Sequence, residues 1–169
     1  VMIARGLDLS VGSVLAAASV LSASLAVAGV PLYLAFGIGI TFGAVVGFIN
    51  GAIIAGMSVS PIIVTLGMLN IARGVAYLIT PSAILVGLPR NWSELGTTKI
   101  LGLPMPIIIA ALIAAAFHIL MNFTRLGKRT YAIGGNEEAA RLSGINVART
   151  LTILYVLCGC LLYTSDAAD

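Results

Sequence analysis

The chain has 169 residues, of which 60% are hydrophobic and only 9% charged, with a formal net charge of +3 and a mean hydropathy of +1.12. Soluble domains carry roughly 45–50% apolar and about 25% charged residues, so a water-soluble globular protein is excluded and an integral membrane protein is implied. The pI near 9.1 reflects cations gathered in loops, as membrane topology requires, and does not imply nucleic acid as a partner.

Between Asp8 and Arg73 there is no Asp, Glu, Lys or Arg. A bilayer core of about 30 Å needs about 20 apolar residues per helix, so this gap holds two or three spans. Long apolar runs without period-two alternation rule out a barrel, and backbone groups in lipid must be paired within their own segment. The predicted fold is therefore an all-α, polytopic membrane helical bundle.

Leu9 to Val30 reads as a first span rich in Ala, Ser and Gly, and Pro31 ends it or opens the next. Leu32 to Gly56 is a second span. Its Gly39, Gly43, Gly47 and Gly51 recur at four-residue spacing, a stripe on which another helix approaches closely, so this face is expected against protein. After the break Ser58-Val-Ser-Pro61, the run Ile62 to Ile79 is a third apolar segment that carries Thr65, Asn70 and Arg73. Residues 81–104 form a mixed loop holding Arg90, Trp92, Glu94 and Lys99; Met105 to Phe123 is a fourth span, and another begins near Thr150.

Lys and Arg are retained on the cytoplasmic side. Residues 124–149 contain Arg125, Lys128, Arg129, Arg141 and Arg149, against Arg90 and Lys99 in the loop 81–104. The first segment is therefore assigned to the cytoplasm, and the second to the outside with Trp92 as an interface anchor. Counting backwards puts residues 57–61 inside and Pro31 outside, provided that each segment crosses fully.

Two features point to broken or re-entrant helices. Asp8 and Ser10, flanked by Gly6 and Gly12, stand at the head of an apolar run. They read either as the capped start of a half-helix, of the kind transporters turn toward a substrate near the midplane, or as an ordinary span leaving a polar loop. Arg73 costs roughly 2.5–3.5 kcal/mol inside a membrane segment, so it either faces a cavity or partner or snorkels to an interface. Asp8 is the one obvious carboxylate to pair with it.

The cytoplasmic loop holds the polar segment from Tyr131 to Ile145. Asn136 is a favourable N-cap, Glu137 and Glu138 suit the first turn, and Gly144 stands at C′ after Arg141, Leu142 and Ser143. A helix of about two turns results, too short to be stable alone in water. With Ala139, Ala140 and Leu142 as a small apolar face, it reads either as a docking element or as a solvated connector.

Gly6-Leu-Asp-Leu-Ser-Val-Gly-Ser13, Asn50-Gly51, Pro61-Ile-Ile-Val-Thr-Leu-Gly67 with Arg73-Gly74, Gly127-Lys-Arg-Thr-Tyr-Ala-Ile-Gly-Gly-Asn136 and Ala139-Ala-Arg-Leu-Ser-Gly-Ile145 occur in that order. Together they resemble the inner-membrane permease subunits of bacterial ABC importers for monosaccharides, the ribose, xylose, arabinose and galactoside group, over nearly the whole chain to about Leu161. The resemblance implies a permease that dimerises, engages a separate cytoplasmic ABC ATPase carrying the ATP and Mg, and receives sugar from a periplasmic sugar-binding protein. It also implies that Glu137 to Gly144 sits in a cleft of that ATPase, with Gly134, Gly135 and Gly144 as hinges. ATPase coupling is thus expected at Gly134, Gly135, Asn136, Glu137, Glu138, Ala139, Ala140, Arg141, Leu142, Ser143 and Gly144. Related permeases for autoinducer-like or nucleoside solutes are close alternatives.

The chain's own chemistry fits a passive subunit of this kind. It has no Gly-x-x-x-x-Gly-Lys-Ser/Thr phosphate loop, so ATP belongs on a partner and no cofactor is expected here. The lone His118 lacks a second ligand candidate, and Cys158 and Cys160 point to different helix faces, so neither a metal nor a disulfide is expected. Asp8, Ser10, Asn50, Thr65, Asn70 and Arg73 are the candidate translocation pathway, since a neutral sugar needs hydrogen-bond donors and acceptors; each also reads as an interhelical contact. An ion-coupled secondary transporter, the reading of another class, needs intramembrane carboxylates, and Asp8 is the only one available to the spans.

The start at Val1, with no preceding span, reads as part of a longer permease, residues 1–162 being a partial permease domain. A helix from Thr150 to Leu162 would rise only about 20 Å, too little to cross. Residues 163–169 depart from the family's apolar pattern and are expected to be a truncated or foreign end that carries no function.

Overall fold

The computed structural model describes residues 1–4, 6–57, 59–80, 99–100 and 103–166, the side chains of 99, 100, 103, 106 and 162–166 excepted. Seven α-helices are found among them: α1 (Val11–Val27), α2 (Leu32–Met57), α3 (Pro61–Ile79), α4 (Met105–Phe123), α5 (Arg125–Gly135), α6 (Glu137–Leu142) and α7 (Val147–Asp166). A 3-10 turn at Met2–Ala4 precedes them. One short antiparallel strand pair, β1 (Lys99–Ile100) with β2 (Leu103–Pro104), leads into α4. The fold is an all-α membrane bundle; Trp92, Arg90 and Glu94 lie outside the described residues.

The helices α2 and α3, 26 and 19 residues long, are long and apolar enough to cross a bilayer. The first helix is shorter than the expected span from Leu9 to Val30. Its start is delayed because Asp8 and Ser10 form a hydrogen-bonded turn ahead of it. Its end is fixed by Gly29, whose φ of +87° places it at the left-handed position of a Schellman turn. There Gly29 N–H donates to Ala26 O and Val30 N–H to Leu25 O, satisfying carbonyls that lipid would leave bare. Ser22 is likewise satisfied within α1, its Oγ donating to Ala18 O at 2.9 Å.

The glycine stripe of α2 does pack against protein, and the partner is α7. The two helices run antiparallel, with Gly51 at Thr152, Gly47 at Tyr155 and Val156, and Gly43 at Gly159. A Cβ on Gly51 would stand 2.7 Å from Thr152 Cα, and one on Gly47 3.1 Å from Val156 Cα. A Cβ on Gly43 would run into the Gly159 carbonyl, and one on Gly159 into that of Gly43. Glycine on both sides is what lets the backbones approach. A second core forms where α1, α2 and α3 meet, around Val14, Ala17, Val46, Met68 and Ala72.

The expectation that the last helix stops after about 13 residues is corrected. It starts earlier, at Val147, because Asn146 caps it by accepting from Arg149 N–H at 2.9 Å. Its backbone stays helical to Asp166, 20 residues in all, or about 30 Å.

Residues 125–135 form a helix that the sequence reading does not assign. It turns 70° from α4 at Thr124, which is extended at φ −106° and ψ 162° and accepts from Gly127 N–H at 3.4 Å. Thr124 Oγ1 also donates to Leu120 O at 2.6 Å, closing the last turn of α4. Gly127 lies directly against the Met121 carbonyl, so only a residue without a side chain fits inside this corner. The helix turns Gly127, Thr130 and Ile133 inward and leaves Arg125, Lys128 and Arg129 exposed.

Candidate functional site

The structure brings together four of the six candidate pathway residues. Asp8 Oδ1 accepts from Ser10 N–H at 2.9 Å and from Ser10 Oγ–H at 2.6 Å, a turn held by a carboxylate. Ser10 Oγ in turn accepts from Asn50 Nδ2 of α2 at 3.2 Å. Thr65 Oγ1 of α3 donates to Pro61 O at 2.8 Å and approaches Leu7 O at 3.4 Å. Ser10, Asn50 and Thr65 are each at most 1% exposed, so this knot of hydrogen bonds ties the segment before α1 to α2 and α3 in a low-dielectric setting where each bond counts. Asn50 Oδ1 is buried without a partner among the described residues.

The other two candidates lie elsewhere. Asn70 is exposed and its amide donates back to Leu66 O at 3.0 Å. Arg73 lines a cavity of about 420 Å³ between α1 and α3, with Gly12, Ser13, Tyr77 and Thr80. Arg73 makes no ion pair with Asp8; among the described residues the one salt bridge is Arg141–Glu137. His118 meets the side chain of Asn122, one helical turn on, at 3.2 Å.

The short helix α6 forms as its sequence indicates. Asn136 Oδ1 accepts from Ala139 N–H at 3.1 Å, and Glu137 pairs with Arg141 at 3.3 Å along the exposed face. At the other end Gly144, at φ +80°, donates to Arg141 O while Ile145 N–H donates to Ala140 O. This is a second Schellman turn, completed by Ile145 packing on the cluster that contains Ala140. An alanine at 144 strains that left-handed position by about 1–2 kcal/mol. Gly144→Ala is expected to speed amide exchange in α6 by on the order of tenfold, read by hydrogen–deuterium exchange of the purified protein.

The helix does not present Ala139, Ala140 and Leu142 as one apolar face. Ala140 is 4% exposed and points inward to Ala4, Ile133, Val147 and Leu154, whereas Leu142 is 86% exposed. The outward surface is made by Glu137, Glu138, Ala139, Arg141 and Leu142. Gly134 and Gly135 close α5, and Gly134 is pressed against the Ile3 carbonyl, a close approach that a side chain would prevent. Asn136, extended at φ −153° and ψ 109°, is the single residue between the two helices.

Residues 1–4 and 6–10 are thus the link between these regions. Ile3 and Ala4 pack on α5 and α6, Gly6 lies under the Tyr155 hydroxyl, and Leu7 to Ser10 enter the polar knot. Sequence reasoning does not single out Tyr155, yet it is fully buried and its hydroxyl has no partner among the described residues.

Below Tyr155 lies a cavity of about 260 Å³. Val59 and Pro61 at the α2–α3 corner line it together with Glu137 and Arg141 of α6, so that corner and α6 stand on the same side of the bundle. The loop-charge expectation likewise puts residues 57–61 and 124–149 on one side.

Comparison with known proteins gives the setting of this geometry. The chain is 38% identical to the ribose import permease protein of Escherichia coli (strain K12) over 165 residues, 95% of this chain and 51% of that protein. It is 40% identical to the ribose import permease protein of Bacillus subtilis (strain 168) over 163 residues, again 95% and 51%. Against the L-arabinose transport system permease protein of Escherichia coli (strain K12) it is 39% identical over 152 residues, 90% of this chain and 46% of that protein. The chain spans about half the length of the curated relatives it matches. No solved structure matches it. The family model described as "Branched-chain amino acid transport system / permease component" matches residues 1–161, and the chain belongs to that family of membrane permeases.

Proposed function

We propose that this chain is part of the permease subunit of an ABC importer that moves a monosaccharide across the bacterial inner membrane. ATP and Mg are bound and hydrolysed on a separate cytoplasmic ATPase, a periplasmic sugar-binding protein delivers the substrate, and a second permease copy completes the pathway within the lipid. The observation that carries this reading is the identity of 38–40% to permeases named for ribose and L-arabinose. The exposed face of α6 supports it: a short helix locked at both ends by capping turns, with Leu142 standing out into solvent, suits insertion into a partner's cleft. Of the candidate pathway residues, half-buried Asp8 and Arg73, which lines the neighbouring cavity, are the polar groups within reach of a neutral sugar; Ser10, Asn50 and Thr65 hold α1, α2 and α3 together inside the knot, and Asn70 lies on the outer face of α3.

A second reading rests on the autoinducer 2 import system permease protein of Yersinia enterocolitica, to which the chain is 33% identical over 165 residues. Uptake of labelled ribose into proteoliposomes, challenged with unlabelled autoinducer 2 or leucine, separates the substrate classes. Competition by leucine alone would point instead to the solute named in the family's description.

Docking is tested by a single cysteine in the permease with Cys158 and Cys160 replaced, co-expressed with its ATPase. Leu142→Cys is expected to crosslink to the ATPase in a nucleotide-dependent way. Ala140→Cys, buried against the chain's own core, is expected to react at least about tenfold more slowly with a water-soluble maleimide, as burial behind packed side chains requires. A Leu142→Cys permease that is freely labelled and never meets an ATPase sinks the coupling role and favours the ion-coupled alternative.

A further inference from the structure

The seam between α2 and α7 opens into a groove of about 420 Å³, lined by Phe48 of α2 and by Arg149, Thr152, Ile153, Val156 and Leu157 of α7. Phe48 is 57% exposed and Ile153 37%, so the groove lies on the surface of the described bundle and not in its core. Its polarity is graded. Arg149 stands in the first turn of α7, and every lining residue above it except Thr152 is apolar. Thr152 gives its proton to Ala148 O at 3.0 Å and so leaves no unpaired donor in the wall. From Arg149 to Leu157 the helix rises about 12 Å, within the roughly 15 Å that one leaflet contributes to the bilayer core. With residues 124–149 on the cytoplasmic side, as loop charge indicates, Arg149 stands at the headgroup level of the inner leaflet and the apolar wall at the level of its acyl chains.

Arg149 is the residue that needs a reason. A cation in the first turn opposes the helix macrodipole, and the positive-inside bias asks for cations in this loop without asking for one turned into a groove. Among the described residues it makes no ion pair, the one salt bridge being Arg141–Glu137, and no carboxylate lines the groove. A guanidinium so placed is a donor fork for phosphate oxygens, with its methylenes lying along the apolar wall. The lack of a carboxylate also selects the headgroup. The ammonium of a zwitterionic lipid finds no opposite charge here, whereas a headgroup whose only charge is its phosphate is fully matched.

We infer that this groove is a site for one anionic phospholipid of the cytoplasmic leaflet, its phosphate on Arg149 and an acyl chain laid along Ile153, Val156, Leu157 and Phe48. A lipid seated there touches both helices that the glycine contact joins, and so braces α2 against α7 from outside. The inference rests on the membrane setting and on the loop-charge orientation, and is independent of which solute is transported.

The test uses the full-length permease, stripped of lipid in a neutral detergent and titrated with phosphatidylglycerol or with phosphatidylcholine, retained lipid being counted by native mass spectrometry. One phosphatidylglycerol is expected to be held at least about fivefold more tightly than phosphatidylcholine, the weight of one juxtamembrane cation. Arg149→Gln is expected to erase that preference and Arg149→Lys to keep it. Arg129→Gln, which removes an exposed cation of α5 outside the groove, is expected to leave it unchanged. Phosphatidylglycerol carrying a photoreactive diazirine midway along one chain is expected to label Phe48, Val156 or Leu157, and Ile153→Trp, which fills the groove, to prevent that labelling.

Equal retention of the two lipids, or a preference that survives Arg149→Gln, overturns the site. A preference lost equally in Arg129→Gln marks diffuse charge attraction and overturns it as well. So does labelling confined to other segments, which would mean that protein, either a second copy or the rest of the permease, covers this seam. Each of these results leaves the importer reading standing, and failure of that reading in the uptake assay leaves the lipid site standing.

Discussion

Gly47→Leu is expected to prevent α2 and α7 from assembling. A Cβ at Gly47 already meets the backbone of Tyr155 and Val156, and backbone, unlike a flexible side chain, has no rotamer to which it can retreat. Overpacking of this kind costs about 1–3 kcal/mol in ordinary cores, and about 3 kcal/mol or more is expected where the whole helix must withdraw. Against a total stability of about 5–15 kcal/mol, such a loss takes roughly a fifth to three-fifths of the margin, and the variant is expected to yield less folded permease than the unaltered protein. Size-exclusion profiles of a fluorescent fusion in detergent supply the readout. Gly37→Leu, on the open side of the same helix with nothing within 4 Å of its would-be Cβ, is expected to run as the unaltered protein. Equal behaviour of the two variants would mean that the α2–α7 contact does not support the fold.

The second large effect is expected at Asp8. One carboxylate oxygen takes both donors of Ser10, and Ser10 takes the amide of Asn50, so Asp8→Ala removes the base of a buried chain of hydrogen bonds. Bonds to charged groups are worth about 1.5–3 kcal/mol each. Under the proposed function, uptake of labelled ribose is expected to fall on the order of tenfold or more in Asp8→Ala. Asp8→Asn keeps an acceptor in the same place and is expected to retain most of the activity. If Asp8→Asn is well folded and as inactive as Asp8→Ala, the negative charge itself is required, and an ion-coupled mechanism gains ground.

Much of the architecture was legible because lipid is a severe solvent. A run of apolar residues with no charge between Asp8 and Arg73 leaves helices as the only way to pair the backbone, and α2 and α3 fall where hydropathy puts them. The four-residue spacing of glycines announced a close contact but not its partner, because α7 complements it through Gly159 and the backbone at Thr152 and Tyr155, a match visible only when the two helices are laid side by side. The α5 helix was missed for a similar reason. Its two terminal glycines and three cations argue weakly for helix, and it is held by Gly127, Thr130 and Ile133 against the rest of the bundle.

The candidate site divides in the same way. The capping residues Asn136 and Gly144 act locally, so they could be read from the chain, and both ends of α6 fall within a residue of expectation. The face it buries depends on Ala4, Ile133 and Leu154, which no local pattern connects to Ala140. Likewise Asp8 and Ser10 are near neighbours that signal a turn, but the bond from Ser10 to Asn50 depends on where α2 lies, and the outward placement of Asn70 depends on how α3 is rotated.

The reciprocal seat of Gly43 and Gly159 also bears on how the protein is made. Its two halves are far apart in sequence, so α2 enters the bilayer long before α7 is synthesised. During that interval the glycine groove has no mate, and any helix with a small-residue face competes for it. Contacts between distant segments form late, because the intervening chain must be ordered first. Formation of this contact is therefore gated by the synthesis of α7. Truncations that stop short of Gly159 should leave the earlier spans inserted but unpaired, and exposed to membrane quality-control proteases.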